Sequence, residues 1–416
     1  MYLSRTTHST MQRQRGAAFI IMLVILIMGV AAFLVSSLNS SALQIKRDAV
    51  TADALAQAKD ALIGYAVTYG DTHSNKAFGY LPCPDSGANE GTAAGSCGSK
   101  NVSMLGRLPW KTLGLPALRD GNGECLWYAV SGTYKNNPKT DLMNWDNNGL
   151  FQVFAAIGVI LAGQTPDTNA VAVIFAPGVA LGGQGQNRAP DGTAPICGGN
   201  YTASNYLDND IAISANNAAP SSVANAISQF FTSGATTNIN DRVIFITKSD
   251  IFSAIKKRND FSTFVSTSLS TIATCLTAQA HPDPVSMTFN NPPPLFTTET
   301  SGGTLVGSLK IGRVPQALCL ASPLDNWQDN FLYAKCTSAN CLTTVNGVPN
   351  CNGVVIFSGE RPVSQSRTTN TQKNDWSNYL ETAIFTTFNT GGTSFSGGTS
   401  SYLPASPSTD VLVCIP

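Results

Sequence analysis

RGAAFIIMLVILIMGVAAFLVSSL, from Arg15 to Leu38, is the stretch on which the predicted fold depends. After Arg15 the chain has no charged residue before Lys46. A helix rises about 1.5 Å per residue, so this apolar run is long enough for the ~30 Å hydrocarbon core of a bilayer. The residues before it include arginines but no acidic residue, and this asymmetry favours a cytoplasmic N-terminus. We therefore expect a transmembrane helix within residues 17–44.

Three interpretations of this segment compete. A cleaved secretory signal needs a shorter apolar core and a small-x-small site, which the residues around Ser37 fit poorly. An uncleaved anchor agrees with the hydropathy alone. The third interpretation uses the junction itself, where a short basic leader ends in Gly16 and small and aromatic residues, 17–19, open the apolar run.

This junction resembles the class III leader of type IV pilins and type II secretion pseudopilins. In that family a prepilin peptidase cuts after the glycine and methylates the new N-terminus. The resemblance implies a leader of residues 1–16, a cut after Gly16 and an N-methylated Ala17. Major subunits of the family carry glutamate at the fifth mature position, where this chain has Ile21. Minor subunits thought to sit at a filament tip lack that glutamate, so the resemblance implies a minor subunit.

The resemblance also implies that the apolar helix packs against the helices of other subunits. The predicted assembly positions are Ile21, Leu23, Leu26, Val30 and Leu34. Beyond them the helix is expected to continue without a break to Tyr69, because residues 41–69 contain no proline. Apolar residues recur there at three- and four-residue steps, which predicts a buried stripe beneath a folded head. These positions are Leu55, Ala58, Leu62, Ala66 and Tyr69.

Composition and cysteine content restrict the class of protein. The 416 residues carry 25 basic and 25 acidic side chains, so the basic surface of a nucleic-acid-binding protein is missing and no nucleic-acid partner is expected. Ten cysteines follow the apolar segment without C-x-x-C pairs, which favours disulfides in an oxidising compartment over a zinc site. The disulfide candidates are Cys83, Cys97, Cys125, Cys197, Cys275, Cys319, Cys336, Cys341, Cys351 and Cys414. Their connectivity does not follow from sequence, although two of the three closely spaced residues Cys336, Cys341 and Cys351 are expected to pair.

Several short motifs occur twice in the same order. GRLP at 106–109 matches GRVP at 312–315, and DGNGECLWY at 120–128 matches DNWQDNFLY at 325–333. VIF at 173–175 matches VIF at 355–357, and NYLD at 205–208 matches NYLE at 378–381. A helical stripe over 251–276 precedes the second copy, as the amphipathic helix precedes the first. We expect two related modules, residues 45–240 (with its helix at 45–69) and 241–416, although chance similarity of short motifs is the alternative.

The predicted fold class is therefore α+β: a long N-terminal transmembrane helix that runs into a pilin-like head with antiparallel sheet, in two tandem modules. The Asp-to-Tyr segments look like the sheet-entry region of pilin heads. Some family members bind calcium there, and Asp120, Asn122 and Glu124 are weak calcium candidates, but the sequence lacks the glycine that an EF-hand loop requires. Capping of a turn by Asp120 is the favoured role, and no other metal site or cofactor is expected.

No enzyme is predicted. The sequence has no G-x-S-x-G elbow, no H-E-x-x-H and no P-loop, and only His73 and His281 follow the apolar segment. Five tryptophans are expected in the core or in hairpins, with a carbohydrate- or surface-binding patch as the minority interpretation.

The predicted function is structural: a minor pilin or pseudopilin that joins, initiates or caps a type IV pilus or a type II secretion pseudopilus. Its expected partners are other subunits, the prepilin peptidase and the inner membrane, with both modules in the periplasm. The alternative is an uncleaved, membrane-anchored periplasmic binding or adhesive protein.

Overall fold

The computed structural model describes residues 15–140, 142–286, 302–321 and 323–416. Within the first helix the side chains of residues 15–21, 29 and 31–40 also lie outside the described part. The predicted leader, residues 1–16, therefore falls outside it except for the backbone of Arg15 and Gly16. The predicted assembly positions Ile21 and Leu34 are described only as helical backbone.

One helix dominates the architecture. Helix α1 covers Arg15–Thr72 without interruption, as its proline-free sequence predicts. The other helices are α2 (Lys248–Lys256), α3 (Phe261–Ala278), α4 (Gln316–Cys319), α5 (Asn370–Lys373) and α6 (Thr382–Thr390). Thr247 caps α2 by accepting the N–H of Asp250, whose carboxylate accepts the Thr247 N–H in return.

The strands divide into two groups along the chain. The first comprises β1 (Met104–Arg107), β2 (Trp127–Val130), β3 (Phe151–Ala156), β4 (Val159–Ala162), β5 (Ala170–Ala176), β6 (Asn209–Asp210), β7 (Ala215–Asn216), β8 (Ser228–Phe231) and β9 (Arg242–Thr247). The second comprises β10 (Thr304–Val306), β11 (Leu309–Arg313), β12 (Phe331–Cys336), β13 (Leu342–Val345), β14 (Val348–Cys351), β15 (Gly353–Phe357), β16 (Ser394–Phe395) and β17 (Val411–Ile415). Strands β3 and β4 form an antiparallel hairpin.

Each group contains the same antiparallel four-stranded core. In the first the order is β1-β2-β5-β9, and in the second it is β11-β12-β15-β17. Gly106 pairs with Tyr128 in one and Gly312 with Tyr333 in the other. The protein is thus α+β with largely antiparallel sheets, and the two larger of the four sheets in the described residues repeat one topology. Strand β9, which completes the first sheet, lies just past the predicted division near Asn240.

The structural alignment of the third strands differs by one residue from the VIF match in the sequence. Tyr128 pairs with Ile174, whereas Tyr333 pairs with Val355, so Ile174 corresponds to Val355 and not to Ile356. Because side chains alternate between the faces of a strand, the sequence match would have exchanged the two faces.

Helices α1 to α4 and one face of each four-stranded core share one continuous hydrophobic core. The predicted stripe of α1 is buried, with Leu55 and Tyr69 less than 7% exposed and Ala58, Leu62 and Ala66 fully covered. The same cluster contains Ile174 of the first sheet, Leu269 of α3 and Val355 of the second sheet. Helix α3 lies against β15 and β17 as α1 lies against β5 and β9.

The predicted transmembrane segment is not confirmed. No helix in the described residues has both the length and the apolar character needed to cross a membrane. The predictions of a transmembrane helix in residues 17–44 and of a single-pass inner-membrane location are therefore wrong.

All ten cysteines are paired. The five disulfides are Cys83–Cys97, Cys125–Cys197, Cys275–Cys319, Cys336–Cys341 and Cys351–Cys414. The expectation of disulfides is confirmed, including a pair within the closely spaced residues 336–351. Five disulfides are typical of a protein that folds outside the cytoplasm.

Candidate functional site

Among the described side chains at the N-terminal end of α1, residues 22–28 and 30 form an exposed apolar surface. Of the predicted assembly positions whose side chains are described, Leu23 is 49%, Leu26 66% and Val30 51% exposed. Met22, Ile25 and Met28 are exposed on the same turns, so the apolar character extends around the helix. A contiguous apolar surface of this kind marks an interaction site. We call residues 22–30 the exposed segment.

Ion pairs tie the following part of α1 to the head. Asp48 pairs with Arg242 at the start of β9 (2.9 Å), and Lys59 pairs with Asp250 of α2 (3.4 Å). Near its C-terminus Asp71 pairs with Arg258 (2.7 Å). Together with the buried stripe, these contacts fix the direction in which the exposed segment leaves the head.

The Asp120 turn is held by backbone donors. Asp120 Oδ1 accepts the N–H of Asn122 (2.8 Å) and Glu124 (3.0 Å), and Oδ2 accepts that of Gly178 (2.8 Å). Glu124 pairs with Arg188 (3.2 Å). Both Asp120 oxygens are therefore engaged in capping this turn and joining it to the end of β5. Among the described residues no group of three potential metal ligands is found.

A buried arginine occupies the same place in both modules. Arg107, 3% exposed, donates from Nη2 to the carbonyls of Gly198 and Asn200 (both 2.8 Å), and its guanidinium lies 5.2 Å from the Tyr206 ring centre. Arg313, 1% exposed, donates to the carbonyl of Lys373 (2.7 Å) and lies 5.2 Å from the Tyr379 ring. Each arginine thus lies between the first core strand and the tyrosine of the NYLD or NYLE motif.

A second arginine approaches each tyrosine. Arg188 lies 5.0 Å from the Tyr206 ring and donates to the Asn205 carbonyl and to Gln186 Oε1. Arg367 lies 4.3 Å from the Tyr379 ring and donates to the Asn378 carbonyl and to Gln365 Oε1. We call each group of one tyrosine with its two arginines an arginine–tyrosine cluster.

A buried carboxyl group opens the last core strand of each module. Asp241 accepts the N–H of Asp208 (2.8 Å), and Asp410 accepts that of Glu381 (2.8 Å). Burial first, and then the neighbouring Asp208, raise the pKa of Asp241 well above its usual range. Burial, with a contribution from Glu381, raises the pKa of Asp410 to about 7. Asp241 and Asp410 thus occupy equivalent positions in the two modules, and burial raises the pKa of both.

Sequence comparison within the chain located only part of these clusters. It matched the tyrosine motifs and the GRLP and GRVP segments, but it missed the Gln-x-Arg pairs. Each arginine donates to the carbonyl of a glycine earlier in the chain. Arg188 is ten positions after Gly178, whereas Arg367 is eight positions after Gly359. A search that allowed this difference in length would have aligned QNR at 186–188 with QSR at 365–367.

His73 stacks on Tyr69 and contacts its carbonyl, whereas His281 contacts the carbonyl of Pro416. Trp127, Trp145 and Trp327 are buried in the core. No protein-family model, curated protein or solved structure matches this chain.

Proposed function

We propose that this chain is an exported structural subunit of a pilin-like filament, cleaved after Gly16 and joined to other subunits through the exposed segment of α1. The single observation that carries the proposal is the division of one continuous helix. One face of its second half, the stripe from Leu55 to Tyr69, is buried beneath the folded head, whereas Met22–Met28 and Val30 extend from it uncovered. An apolar helix surface that the chain leaves uncovered requires apolar partners, and the corresponding helices of other pilin-like subunits supply them.

The repeated sheet topology and the disulfides agree with this proposal. Two stapled modules give a head larger than one sheet-and-helix unit, and this bulk suits a minor subunit at the end of a filament. Ile21 at the fifth mature position agrees with the same assignment, because the glutamate that pairs with a neighbour's amino terminus in shaft subunits is replaced. The partners are then other pilin-like subunits and a prepilin peptidase.

Two experiments test the proposal. In the native host, Gly16→Ala should leave a full-length chain, whereas the wild-type chain should begin at N-methyl-Ala17 by mass spectrometry. In purified protein, Leu23→Ser combined with Leu26→Ser should abolish self-association in analytical ultracentrifugation. Val363→Ser, which changes a fully exposed loop side chain, is the matched control and should associate as the wild type does. Normal processing of Gly16→Ala, or undiminished association of the double variant, would refute the proposal.

A further inference from the structure

A lysine, an asparagine and an aspartate meet at one end of the first sheet. Ala170 of β5 pairs with Phe151 of β3 and also with Thr247 of β9. The residues just outside these three strand ends are therefore brought together. They are Asn148 before β3, Asp167 before β5 and Lys248 after β9. Filament assembly as proposed above uses none of these side chains.

Lys248 contacts both of the other side chains. Its Nζ donates to Asn148 Oδ1 (2.8 Å) and to Asp167 Oδ1 (2.7 Å). The other carboxylate oxygen, Asp167 Oδ2, is paired with Arg361 of the second module. The lysine side chain is 11% exposed and that of Asp167 24%. An amide and a carboxylate thus lie within hydrogen-bond distance of one amine nitrogen, at a site largely shielded from water.

The carboxamide of Asn148 is within reach of the lysine nitrogen. A C=O bond is about 1.2 Å long, so the side-chain carbonyl carbon lies no more than about 4 Å from Nζ. Reacting atoms in a near-attack geometry are about 3–3.5 Å apart, so a small rotation of the carboxamide completes the approach. Burial lowers the pKa of Lys248 below its usual value, although the neighbouring Asp167 raises it. A desolvated lysine amine of this kind is a nucleophile.

We propose that Lys248 and Asn148 form an intramolecular amide bond, with Asp167 transferring the protons. The Asp167 carboxylate takes a proton from the lysine ammonium group, to which it is already hydrogen-bonded. The freed lone pair of Nζ then forms a bond to the carbonyl carbon of Asn148. The bond from that carbon to Nδ2 breaks, and its electron pair leaves with Nδ2.

Atoms and charges balance without a further reactant. Nζ loses two of its three protons, and Asp167 passes them in turn to the departing nitrogen, which leaves as an ammonium ion. A lysine ammonium group and a carboxamide thereby become a secondary amide and free ammonium, and Asp167 ends as the carboxylate that it was. The bond joins residues 100 positions apart and ties the start of α2 to the loop before β3. It does not depend on filament assembly.

Lys248→Arg separates the reaction from the ion pair. Arginine keeps the positive charge and the donors for Asn148 and Asp167, but its guanidinium is not deprotonated in proteins and supplies no amine nucleophile. Lys256→Arg is the matched control, because Lys256 lies on the same helix and is paired with a carboxylate, that of Glu360. Asp167→Asn tests the proton transfer. Far-UV circular dichroism checks that each variant folds as the wild type does.

The test is mass spectrometry of the full chain, reduced and denatured, before and after proteolysis. We expect the wild type and Lys256→Arg to weigh one ammonia less than their sequences and to yield two peptides joined through Lys248 and Asn148. In Lys248→Arg and Asp167→Asn the joined peptides should be absent and the full mass restored, since losing the proton transfer slows such a reaction about 10²–10⁴-fold.

A competing reaction at Asn148 expels the same ammonia. Gly149 follows Asn148, and closure of the side chain onto the next backbone nitrogen gives a succinimide within one peptide. Ammonia lost in that way, a wild-type chain of unreduced mass, or joined peptides that persist in Lys248→Arg or in Asp167→Asn would each overturn the proposal.

Discussion

Asp410 is buried where β17 begins, and it accepts the N–H groups of Gly359 (3.2 Å) and Glu381 (2.8 Å). Its folded-state pKa of about 7, raised mainly by burial, exceeds the ordinary value of 3.8. The folded state therefore holds a proton that the unfolded state releases first. Stability from this group is complete below about pH 4 and is lost as the pH rises to about 7.

Asp410→Asn should remove this dependence. The amide does not ionise, so the decline of the urea midpoint between about pH 4 and 7 should be shallower in the variant than in the wild type. Asp53→Asn, on the exposed face of α1, is the control and should keep the wild-type slope. If the urea midpoints of Asp410→Asn and the wild type changed with pH in parallel, Asp410 would be ionised over the whole range from about pH 4 to 7.

Gly106 and Gly312 occupy equivalent positions in the two modules, so substitutions there test whether the two first core strands pack in the same way. A Cβ on Gly106 would come within 3.0 Å of the Asp85 carbonyl oxygen and of Pro84, and one on Gly312 would meet Val285 and Pro284 in the same way. Gly106→Ala and Gly312→Ala should each lower the free energy of unfolding by about 1–3 kcal/mol, because the first core strand must move away from its neighbour. Gly95→Ala, with open space around it, should cost much less in the same denaturant titration. A tolerated alanine at either strand glycine would argue against the shared packing.

For single residues, the sequence predicted those roles that depend on nearby positions in the chain. Asp120 caps its turn as expected, and the stripe from Leu55 to Tyr69 is buried as its spacing predicts. The environment of Arg107 could not be predicted, because its partners Gly198 and Asn200 lie more than ninety residues away. From sequence alone an arginine is expected at the surface, and only the fold shows that a tyrosine ring and two backbone carbonyls contact Arg107 in the interior.

Among the elements, the disulfides differ in the loops that they close. Cys351–Cys414 ties β14 to the last strand across 63 residues, whereas Cys336–Cys341 closes a loop of 5 residues. Loop-closure entropy gives about 4 kcal/mol for the longer loop and about 2 kcal/mol for the shorter one. Replacing both cysteines of a pair by alanine should lower the thermal midpoint more for 351/414 than for 336/341. The reverse order in calorimetry would contradict this account.

Elements with strong local signals were predicted better than their pairing. Helix α1 follows from the proline-free periodicity of its sequence. The one-residue displacement between the VIF motifs did not follow, because register depends on the partner strands. The membrane-spanning assignment of residues 17–44, based on the length of the apolar run and the basic residues before it, was wrong.

In the whole molecule the two sheets share a core, so the repeated topology does not imply independent units. Tyr128 and Tyr333, from equivalent strands, belong to one cluster that also includes residues of α1 and α3. The buried pair Asp146–Arg367 crosses between the modules, with both side chains no more than 2% exposed. Burial alone would raise the pKa of Asp146, but Arg367 and nearby lysines lower it below its usual range, so the carboxylate is charged.

We therefore expect a single unfolding transition for both modules, with fluorescence and far-UV circular dichroism coincident. Asp146→Asn leaves the Arg367 charge buried without its counter-ion and should lower the free energy of unfolding by about 3–5 kcal/mol while the transition stays single. Asp260→Asn breaks an ion pair whose carboxylate is 60% exposed, and it should cost less than about 1 kcal/mol. Two separate unfolding transitions, or a shift of the transition of only one module in Asp146→Asn, would show that the shared core does not make the two modules unfold together. Because α1 contains both the exposed segment and the stripe buried in this core, such coupling would transmit a load on the helix to both modules at once.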